Sequence, residues 1–214
     1  AESAEVLRRL GVEPEFILFV GTVEPRKNLL TLVRAYVELV RETDFMPQLV
    51  IAGQKGWLND ELFRLIEREG LGSRLVLTGY VPDEDLRALY SACGVFVYPS
   101  LYEGFGLPPL EAMSCGAAVV ASRIPPLEET LSGAARLVAP TDAKELSRAL
   151  AELLSDAGAR SRLAEAGLAR AAEYTWERTA LLTRGVYEDA MSEWEHERRA
   201  AGADTTAAAG GGAA

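Results

Sequence analysis

The amino-acid sequence predicts an α/β fold: a Rossmann-like, doubly wound parallel sheet of six strands with helices on both faces. Short apolar runs alternate with longer helical segments along the chain, which is typical of parallel sheets buried on both sides. The 214 residues are enough to bury a substantial core as one such domain. No internal repeat or heptad array is visible that would indicate a solenoid or a coiled coil.

The predicted strands are short apolar runs that are followed by loops or turns. The last of them is the weakest, because it is interrupted by a charged residue. In chain order they are Phe16–Val20, Leu49–Ala52, Leu75–Leu77, Val95–Tyr98, Ala117–Ala121 and Ala135–Val138.

The predicted helices begin at residues whose side chains can accept hydrogen bonds from free helical N–H groups. Asn28 is the expected cap of a helix over Leu29–Arg41, and Asn59 the cap of a helix that Gly70 ends. Further helices are predicted over Asp83–Ala92, after the two prolines at 108 and 109, over Lys144–Leu154 behind the cap Asp142, and over Glu173–Arg199.

The chain divides by composition into three parts. Residues 1–15 are predicted to form a short helix and a linker, and residues 16–199 a single domain that includes the C-terminal helices. The tail at 200–214 contains mainly alanine, glycine and threonine without a pattern, which predicts disorder. On the last helix, Trp194 lies in a charged neighbourhood, and we expect it to be partly exposed.

Composition and charge restrict the possible functions. The formal net charge of −10 argues against a nucleic-acid partner. No apolar run approaches membrane-spanning length, and Ala1 does not open a signal peptide. Cys93 and Cys115 are interpreted as buried free thiols, which predicts a reducing, cytoplasmic location. His196 is the single histidine, so a histidine-based metal site or catalytic triad is not expected.

The segment after the fourth strand carries two glutamates, Glu103 and Glu111, around a glycine loop and two prolines. The glycines at 104 and 106 let backbone amides approach a ligand without an intervening Cβ. Proline fits the first turn of a helix, whose free N–H groups favour phosphate. Glu111 alone reads as ordinary helix stabilisation, but a pair of glutamates flanking this loop suits a nucleotide sugar.

The expected strand order 3-2-1-4-5-6 makes strands 1 and 4 neighbours at the topological switch point, where ligands bind in such folds. Arg26 and Lys27 follow strand 1, and the Glu103–Glu111 segment follows strand 4. A basic pair in a turn is usually only solvated. Its position beside the two glutamates favours a role in binding phosphate.

The segment EGFGLPPLEAMSCG, which begins at Glu103, resembles the Glu-x7-Glu motif of family 4 retaining glycosyltransferases with the GT-B fold. The resemblance implies that Glu111 binds the ribose hydroxyls of the donor nucleotide. It also implies that Glu103 acts on the donor sugar as the catalytic carboxylate. The backbone amides that would face the sugar and its leaving phosphate belong to Gly104, Phe105, Gly106 and Leu107.

Two other loops resemble parts of the same family. Gly21 opens a loop like the one whose basic residues hold the donor pyrophosphate, but Thr22 stands where many members have arginine. Either Arg26 or Lys27 is expected to make that contact instead. The turn around Val81 resembles the loop whose backbone binds the nucleotide base, and a plain strand-to-helix turn is an equally supported alternative.

Asp83 and Asp85 resemble an Asp-x-Asp metal site only superficially. They read better as an N-cap followed by an acidic first turn. We therefore expect no metal and no cofactor. In that case Arg26 and Lys27 neutralise the diphosphate leaving group.

The resemblance implies that this chain is the donor-binding, C-terminal half of a metal-independent glycosyltransferase of hexosyltransferase type. The donor would be a UDP- or GDP-linked sugar. The acceptor would bind to an N-terminal domain that this chain lacks, and peripheral membrane contact would occur through that half. The chain alone is expected to be inactive.

Two other functions stay open at this stage. One is a stand-alone nucleotide-binding or regulatory module without catalysis, and the other is half of a sugar-nucleotide epimerase. A dehydrogenase is poorly supported, because the loop from Gly21 to Arg26 lacks the glycine pattern of dinucleotide-binding proteins.

Overall fold

A computed structural model of the protein describes residues 2–57 and 60–209. The chain forms two compact units, Ala1–Ala172 and Glu173–Ala214. The first unit contains a six-stranded sheet in the order β3-β2-β1-β4-β5-β6, and every neighbouring pair is parallel. This confirms the predicted fold class. The strands are β1 Ile17–Val20, β2 Leu49–Ala52, β3 Leu75–Gly79, β4 Val95–Tyr98, β5 Val119–Ser122 and β6 Arg136–Val138.

Helices connect the strands, as the parallel topology requires. Those of the first unit are α1 Glu2–Leu10, α2 Leu29–Glu42, α3 Asp60–Glu69, α4 Asp83–Ala92, α5 Leu107–Ser114, α6 Pro125–Leu131, α7 Ala143–Ser155 and α8 Ala157–Ala171. The sequence analysis did not predict α6 and α8. The first is short, and the second is rich in alanine with only Gly167 buried, so neither shows a clear apolar period.

The core lies around the central strands. All residues of β1, β2, β4 and β5 are buried, because helices cover both faces of the sheet. The ring of Tyr98 at the end of β4 stacks on Phe19 of β1 and on Phe96, with 6.2 Å between ring centroids in each case. The aromatic packing therefore continues to the carboxyl ends of the two central strands.

The loops after β1 and β2 stay paired beyond the strands. The Gly21 amide donates to the Ala52 carbonyl at 2.9 Å, and Val23 to Gln54 at 2.9 Å. A Cβ on Gly53 would lie 1.9 Å from the Gly21 oxygen, closer than any side chain allows. Glycine is therefore required at 53, and the first loop is held tightly at the edge of the sheet.

The helix ends agree with the predictions in two cases. Asp142 caps α7, since its Oδ1 accepts from the amides of Lys144 at 3.0 Å and Glu145 at 2.9 Å. Gly70 follows α3 with a positive φ of 59°, which is the backbone conformation expected of a glycine that ends a helix.

The other predicted caps need correction. Asn28 precedes α2 but has a left-handed backbone and makes no side-chain cap bond, because its amide is used elsewhere. Pro82 occupies the cap position of α4, so Asp83 and Asp85 contribute only an acidic first turn. The predicted cap Asn59 lies outside the described residues.

The cysteines are both free, but each is half-buried where the sequence led us to expect burial. The Cys93 thiol donates to the Tyr90 carbonyl at 3.2 Å. Burial raises the pKa of the Cys93 thiol to about 12. This thiol therefore stays protonated at neutral pH and is a poor nucleophile.

The second unit is a long helix, α9 Trp176–Ala209. It extends past Arg199, where we expected the tail to begin, because the following alanines favour an existing helix. Residues 210–214 lie outside the described part, and the predicted domain boundaries stay a prediction. Trp194 is 57% exposed, in agreement with its charged neighbourhood. Among the described residues, no helix combines the length and the apolar character needed to cross a membrane.

Candidate functional site

The candidate site lies at the carboxyl ends of the central strands. Because β1, β2, β3 and β4 are parallel, their following loops meet at one edge of the sheet. The loop after β1 carries Arg26 and Lys27, the loop after β3 carries Val81, and the loop after β4 carries Glu103. The topology therefore brings the three sequence-predicted segments to the same edge.

Lys27 and Glu103 form a buried ion pair there. The Lys27 Nζ lies 2.6 Å from Glu103 Oε1, with 7% and 9% of the two side chains exposed. The same ammonium donates to the Tyr98 hydroxyl at 2.5 Å. Tyr98 ends β4 and Lys27 ends the short turn Pro25–Lys27, so the pair links the two central strands.

Arg26 reaches the same carboxylate from the surface. Its Nη1 donates to Glu103 Oε2 at 3.1 Å, and its Nε lies 2.6 Å from Oε1 of the buried Glu24. Two cations and two anions thus form one group, which we call the charged cluster: Glu24, Arg26, Lys27 and Glu103. Its formal charge is balanced, so the two basic residues are already paired with carboxylates.

Sequence reasoning missed two contributors to this cluster. Tyr98 was read only as the end of a strand, and Glu24 only as a loop residue. No sequence signal distinguishes Tyr98, because it acts through a contact with Lys27 that the fold brings near. Glu24 does share the tight turn with Arg26, and this spacing is the one local hint.

The pKa values in the cluster follow from burial and pairing. Burial alone would raise the pKa of the Glu103 carboxyl, but the hydrogen bond and charge of Lys27 outweigh it and hold that pKa below its ordinary value. Burial, followed by the Glu103 charge, raises the pKa of the Tyr98 phenol well above its ordinary range. At neutral pH Glu103 is therefore ionised and Tyr98 is neutral.

The glycine loop before α5 is shaped by packing. Gly106 has a φ of 97°, and a Cβ there would lie 2.5 Å from Cδ2 of Leu127 on α6. At Gly104 nothing lies within 4 Å of an added Cβ. Thr130 on α6 also donates to the Phe105 carbonyl at 3.0 Å. Glycine is thus required at 106 both for the positive φ and for the close contact with Leu127 of α6, while the space around Gly104 is open.

The first turn of α5 begins at Leu107, as the two prolines indicated. Glu111 lies on this helix and is exposed. Its Oε2 accepts a hydrogen bond from the Tyr90 hydroxyl of α4 at 3.0 Å. Burial, together with the Glu111 charge, raises the pKa of Tyr90, so the phenol stays a donor and holds the carboxylate.

Two adjoining clefts border these residues. The first has a volume of about 280 Å³ and contains Glu111, Tyr90 and Arg87. The second has a volume of about 330 Å³ and contains Gly21, Tyr80 and Val81. Asp83 and Leu86 line both, so the clefts are neighbours. A larger cavity of about 760 Å³ between α1 and α4 includes none of the predicted site residues.

The predicted site residues thus fall into three places. Gly21 and Val81 share one cleft, and Glu111 lies in the next. Arg26, Lys27 and Glu103 belong to the charged cluster. The segment Gly104–Leu107 connects the cluster to α5. Tyr90 and Tyr80, which the sequence analysis did not select, complete the clefts.

A metal site was not expected, and the described residues contain no group of three or more histidine, cysteine, aspartate or glutamate side chains suited to a metal ion. Asp85 of the Asp-x-Asp segment forms an ion pair with Arg9 of α1. Metal independence stays a prediction.

Comparison with known families gives a match over most of the first unit. Residues 7–170 match the profile of the family described as Glycosyl transferases group 1. The chain is 42% identical over 188 residues to O-antigen chain mannosyltransferase B of Escherichia coli, covering 87% of this chain and 49% of the relative. It is 37% identical to MMP alpha-(1->4)-mannosyltransferase of Mycolicibacterium hassiacum, covering 78% of this chain and 41% of that protein. The chain therefore spans less than half the length of these relatives.

Solved structures show the same architecture. Sucrose-phosphate synthase from Thermosynechococcus elongatus superposes with a TM-score of 0.76 at 30% identity, covering 89% of this chain and 49% of that one. HepE from Anabaena, solved with UDP and glucose, gives a TM-score of 0.74 at 23% identity, with 89% and 52% covered. At that identity the likeness concerns the fold alone.

Proposed function

Because the chain belongs to the group 1 glycosyl transferases, we propose that it binds the nucleotide-sugar donor of a retaining, metal-independent transferase of family 4. The observation that carries the proposal is that two neighbouring clefts, which share Asp83 and Leu86, lie at the switch point. Gly21 and Val81 line one cleft and Glu111 the other, and we interpret the two together as one donor groove beside the charged cluster and the start of α5. Membership of the chain in this family also favours a transferase over the two alternatives, a binding module without catalysis and an epimerase.

The donor fits this groove in a definite direction. The base lies in the cleft with Val81 and Tyr80, and the ribose lies against Glu111 in the adjoining cleft. Tyr90 holds one oxygen of the Glu111 carboxylate, which orients the group and leaves the other oxygen to accept from ribose. The diphosphate then meets backbone amides of the segment Gly104–Leu107, which leads into α5, since Pro108 and Pro109 in the first turn have no N–H.

Arg26 is the better candidate for the direct diphosphate contact that the sequence left open between two residues. Its side chain is 47% exposed, whereas Lys27 is buried against Glu103 and Tyr98. A guanidinium can turn toward two phosphate oxygens at once. Lys27 then keeps Glu103 ionised next to the donor sugar, where the carboxylate orients sugar hydroxyls.

The sugar and the remaining half of the enzyme are inferred from the relatives. Both named curated relatives are mannosyltransferases, and we propose mannose as the transferred sugar. The solved C-terminal domain of a group 1 glycosyl transferase, LpcC of Francisella tularensis, superposes with a TM-score of 0.68 at 21% identity, covering 90% of its length. This supports a C-terminal position for our chain. The acceptor domain and the cytoplasmic location stay proposals.

Calorimetric titration tests the donor site. Wild type should bind GDP or UDP, and EDTA should leave the affinity unchanged. Glu111→Gln should weaken binding by roughly 1.5–3 kcal/mol, the range for hydrogen bonds to a charged group. Glu67→Gln, an exposed change on α3, is the matched control. A folded Glu111→Gln protein with wild-type affinity, or loss of wild-type binding in EDTA, would contradict the proposal.

A further inference from the structure

Asn28 is buried at the carboxyl edge of the sheet, with 9% of its surface exposed. It follows Lys27 directly and adopts a left-handed backbone, φ 56° and ψ 36°. Asparagine tolerates that conformation better than most residues. Its backbone carbonyl still accepts from the Thr31 amide at 3.1 Å, so α2 starts normally although the side chain does not cap it.

The side chain instead bonds to two other loops and to the first turn of α2. Its Nδ2 donates to the carbonyls of Pro99 at 3.0 Å and Pro140 at 2.7 Å. Its Oδ1 accepts from the Thr31 hydroxyl at 2.8 Å. Carbonyl oxygens can only accept, so two carbonyl partners fix which end of the amide is the nitrogen. One residue thereby joins the loops that follow β1, β4 and β6.

The hydrogen bonds of Asn28 lie next to the Lys27–Glu103 pair both in the β1 loop and in the β4 loop. Lys27 precedes Asn28, and Pro99 follows Tyr98, which accepts a hydrogen bond from Lys27. The Leu101 amide also donates to the Arg26 carbonyl at 2.8 Å. The two loops are thus tied at Asn28 and at Leu101, with the ion pair between these ties. Their separation decides whether the ammonium reaches both partners.

We propose that Asn28 is a positioning residue, whose amide holds the β1 and β4 loops at the spacing that pairs Lys27 with Glu103 and leaves Arg26 facing the diphosphate. Its effect on donor binding rests on the proposed function, whereas its effect on the ion pair does not. A short-range ion pair in a poorly hydrated site depends steeply on distance. A shift of the loops would weaken it more than it weakens the surrounding core.

The variant Asn28→Gly separates the side chain from the backbone. Glycine adopts the left-handed conformation freely, so the backbone is preserved while all three amide contacts are lost. Asn28→Asp keeps the size but places a group without donors against two carbonyls. The control is Thr43→Val at the other end of α2. It removes the hydrogen bond of 2.7 Å from the Thr43 hydroxyl to the Leu39 carbonyl, a bond that does not connect loops at the strand ends.

The first measurement needs no ligand. Carboxyl NMR titration should show the Glu103 pKa below its ordinary value in wild type and in Thr43→Val, and moved upward in both Asn28 variants. In wild type the two Asn28 amide protons should shift with the same midpoint as Glu103. Amide signals that stay constant through that titration would overturn the proposal even if neither variant folds.

The second measurement uses GDP, UDP and their nucleosides. Asn28→Gly should reduce the preference for diphosphate over nucleoside by about tenfold, the equivalent of about 1.4 kcal/mol, and Thr43→Val should leave it unchanged. Wild type that binds none of these ligands would defeat the proposed function but not the ion-pair result. Asn28→Gly with a wild-type Glu103 titration would overturn the positioning role, and so would an unchanged ligand preference.

Discussion

Single residues in this site carry several contacts each, and Glu103 is the clearest case. It accepts from Lys27 at 2.6 Å and from Arg26 at 3.1 Å while 8% exposed. A buried carboxylate without partners would be costly. The two cations therefore have a structural role before any ligand binds. In a variant of Lys27, an effect on folding could not be separated from an effect on ligand binding.

Arg26 allows a cleaner test because it is half-exposed. Arg26→Gln should keep the fold at lower stability, since Lys27 still pairs with Glu103 but the buried Glu24 loses its cation. It should reduce the preference for nucleoside diphosphate over nucleoside, and added salt should weaken wild-type diphosphate binding. Calorimetry with both ligands measures this, with Arg34→Gln on α2 as the exposed control. Equal preference in Arg26→Gln and wild type would assign the phosphate contact elsewhere.

The pH dependence of stability should report the Glu103 pair. Its folded pKa is below that of the unfolded chain, so the ionised group stabilises the fold above the unfolded value of about 4.3. This stabilisation is lost as the pH falls through the folded pKa. Urea unfolding from pH 7 to pH 3 should therefore show a steeper loss for wild type than for Glu103→Gln. Parallel curves would mean that Glu103 is not paired in solution.

At the scale of elements, the glycine loop depends on α6, a helix that the sequence analysis did not predict. Leu127 fills the space beside Gly106, and Thr130 holds the Phe105 carbonyl. Helix α6 therefore holds the glycine loop in position, and with it the first turn of α5. Such support is expected where a loop positions binding groups on a rigid scaffold.

We expect Gly106→Ala to destabilise the protein by more than about 1 kcal/mol, because alanine is strained at positive φ and its Cβ meets Leu127. Gly104→Ala should cost less, since the space there is open. Urea unfolding of the two variants provides the comparison. The double variant Gly106→Ala with Leu127→Ala would relieve the contact but not the backbone strain. A larger loss at 104 than at 106 would show that the loop is held differently.

At the scale of the whole molecule, we propose that the chain provides the donor side of a transfer reaction. The clefts and the charged cluster all lie in the unit Ala1–Ala172. Relatives are more than twice as long as the matched region. Transfer needs donor and acceptor held in line and protected from water, and we propose that a second domain supplies the acceptor side.

The purified 214-residue chain should therefore bind donor but transfer no sugar. Incubation with a labelled GDP- or UDP-linked sugar and an acceptor, followed by product analysis, measures this directly. A longer chain that includes the proposed acceptor domain should transfer the sugar. Robust transfer by the short chain alone would contradict the two-domain proposal.

The sequence by itself determined the sheet and the principal site segments. Apolar strand runs such as Val95–Tyr98 are local signals, and so are the prolines that open α5 and the cap at Asp142. The strand order was expected from the doubly wound fold class, and it places the loops after β1 and β4 side by side. Glu103 and Glu111 were accessible to sequence reasoning because they share one short segment.

Only the tertiary structure decided how those residues are partnered. Tyr90 and Tyr98 have ordinary sequence contexts, and each acquires its role through a side chain that the fold brings within 3 Å. Asn28 shows the reason most plainly. Its sequence position favours a helix cap through Oδ1, but Nδ2 donates to two carbonyls of distant loops while Oδ1 accepts from the Thr31 hydroxyl. Local preference is worth about 1 kcal/mol, and the need to satisfy buried carbonyls at the sheet edge outweighs it.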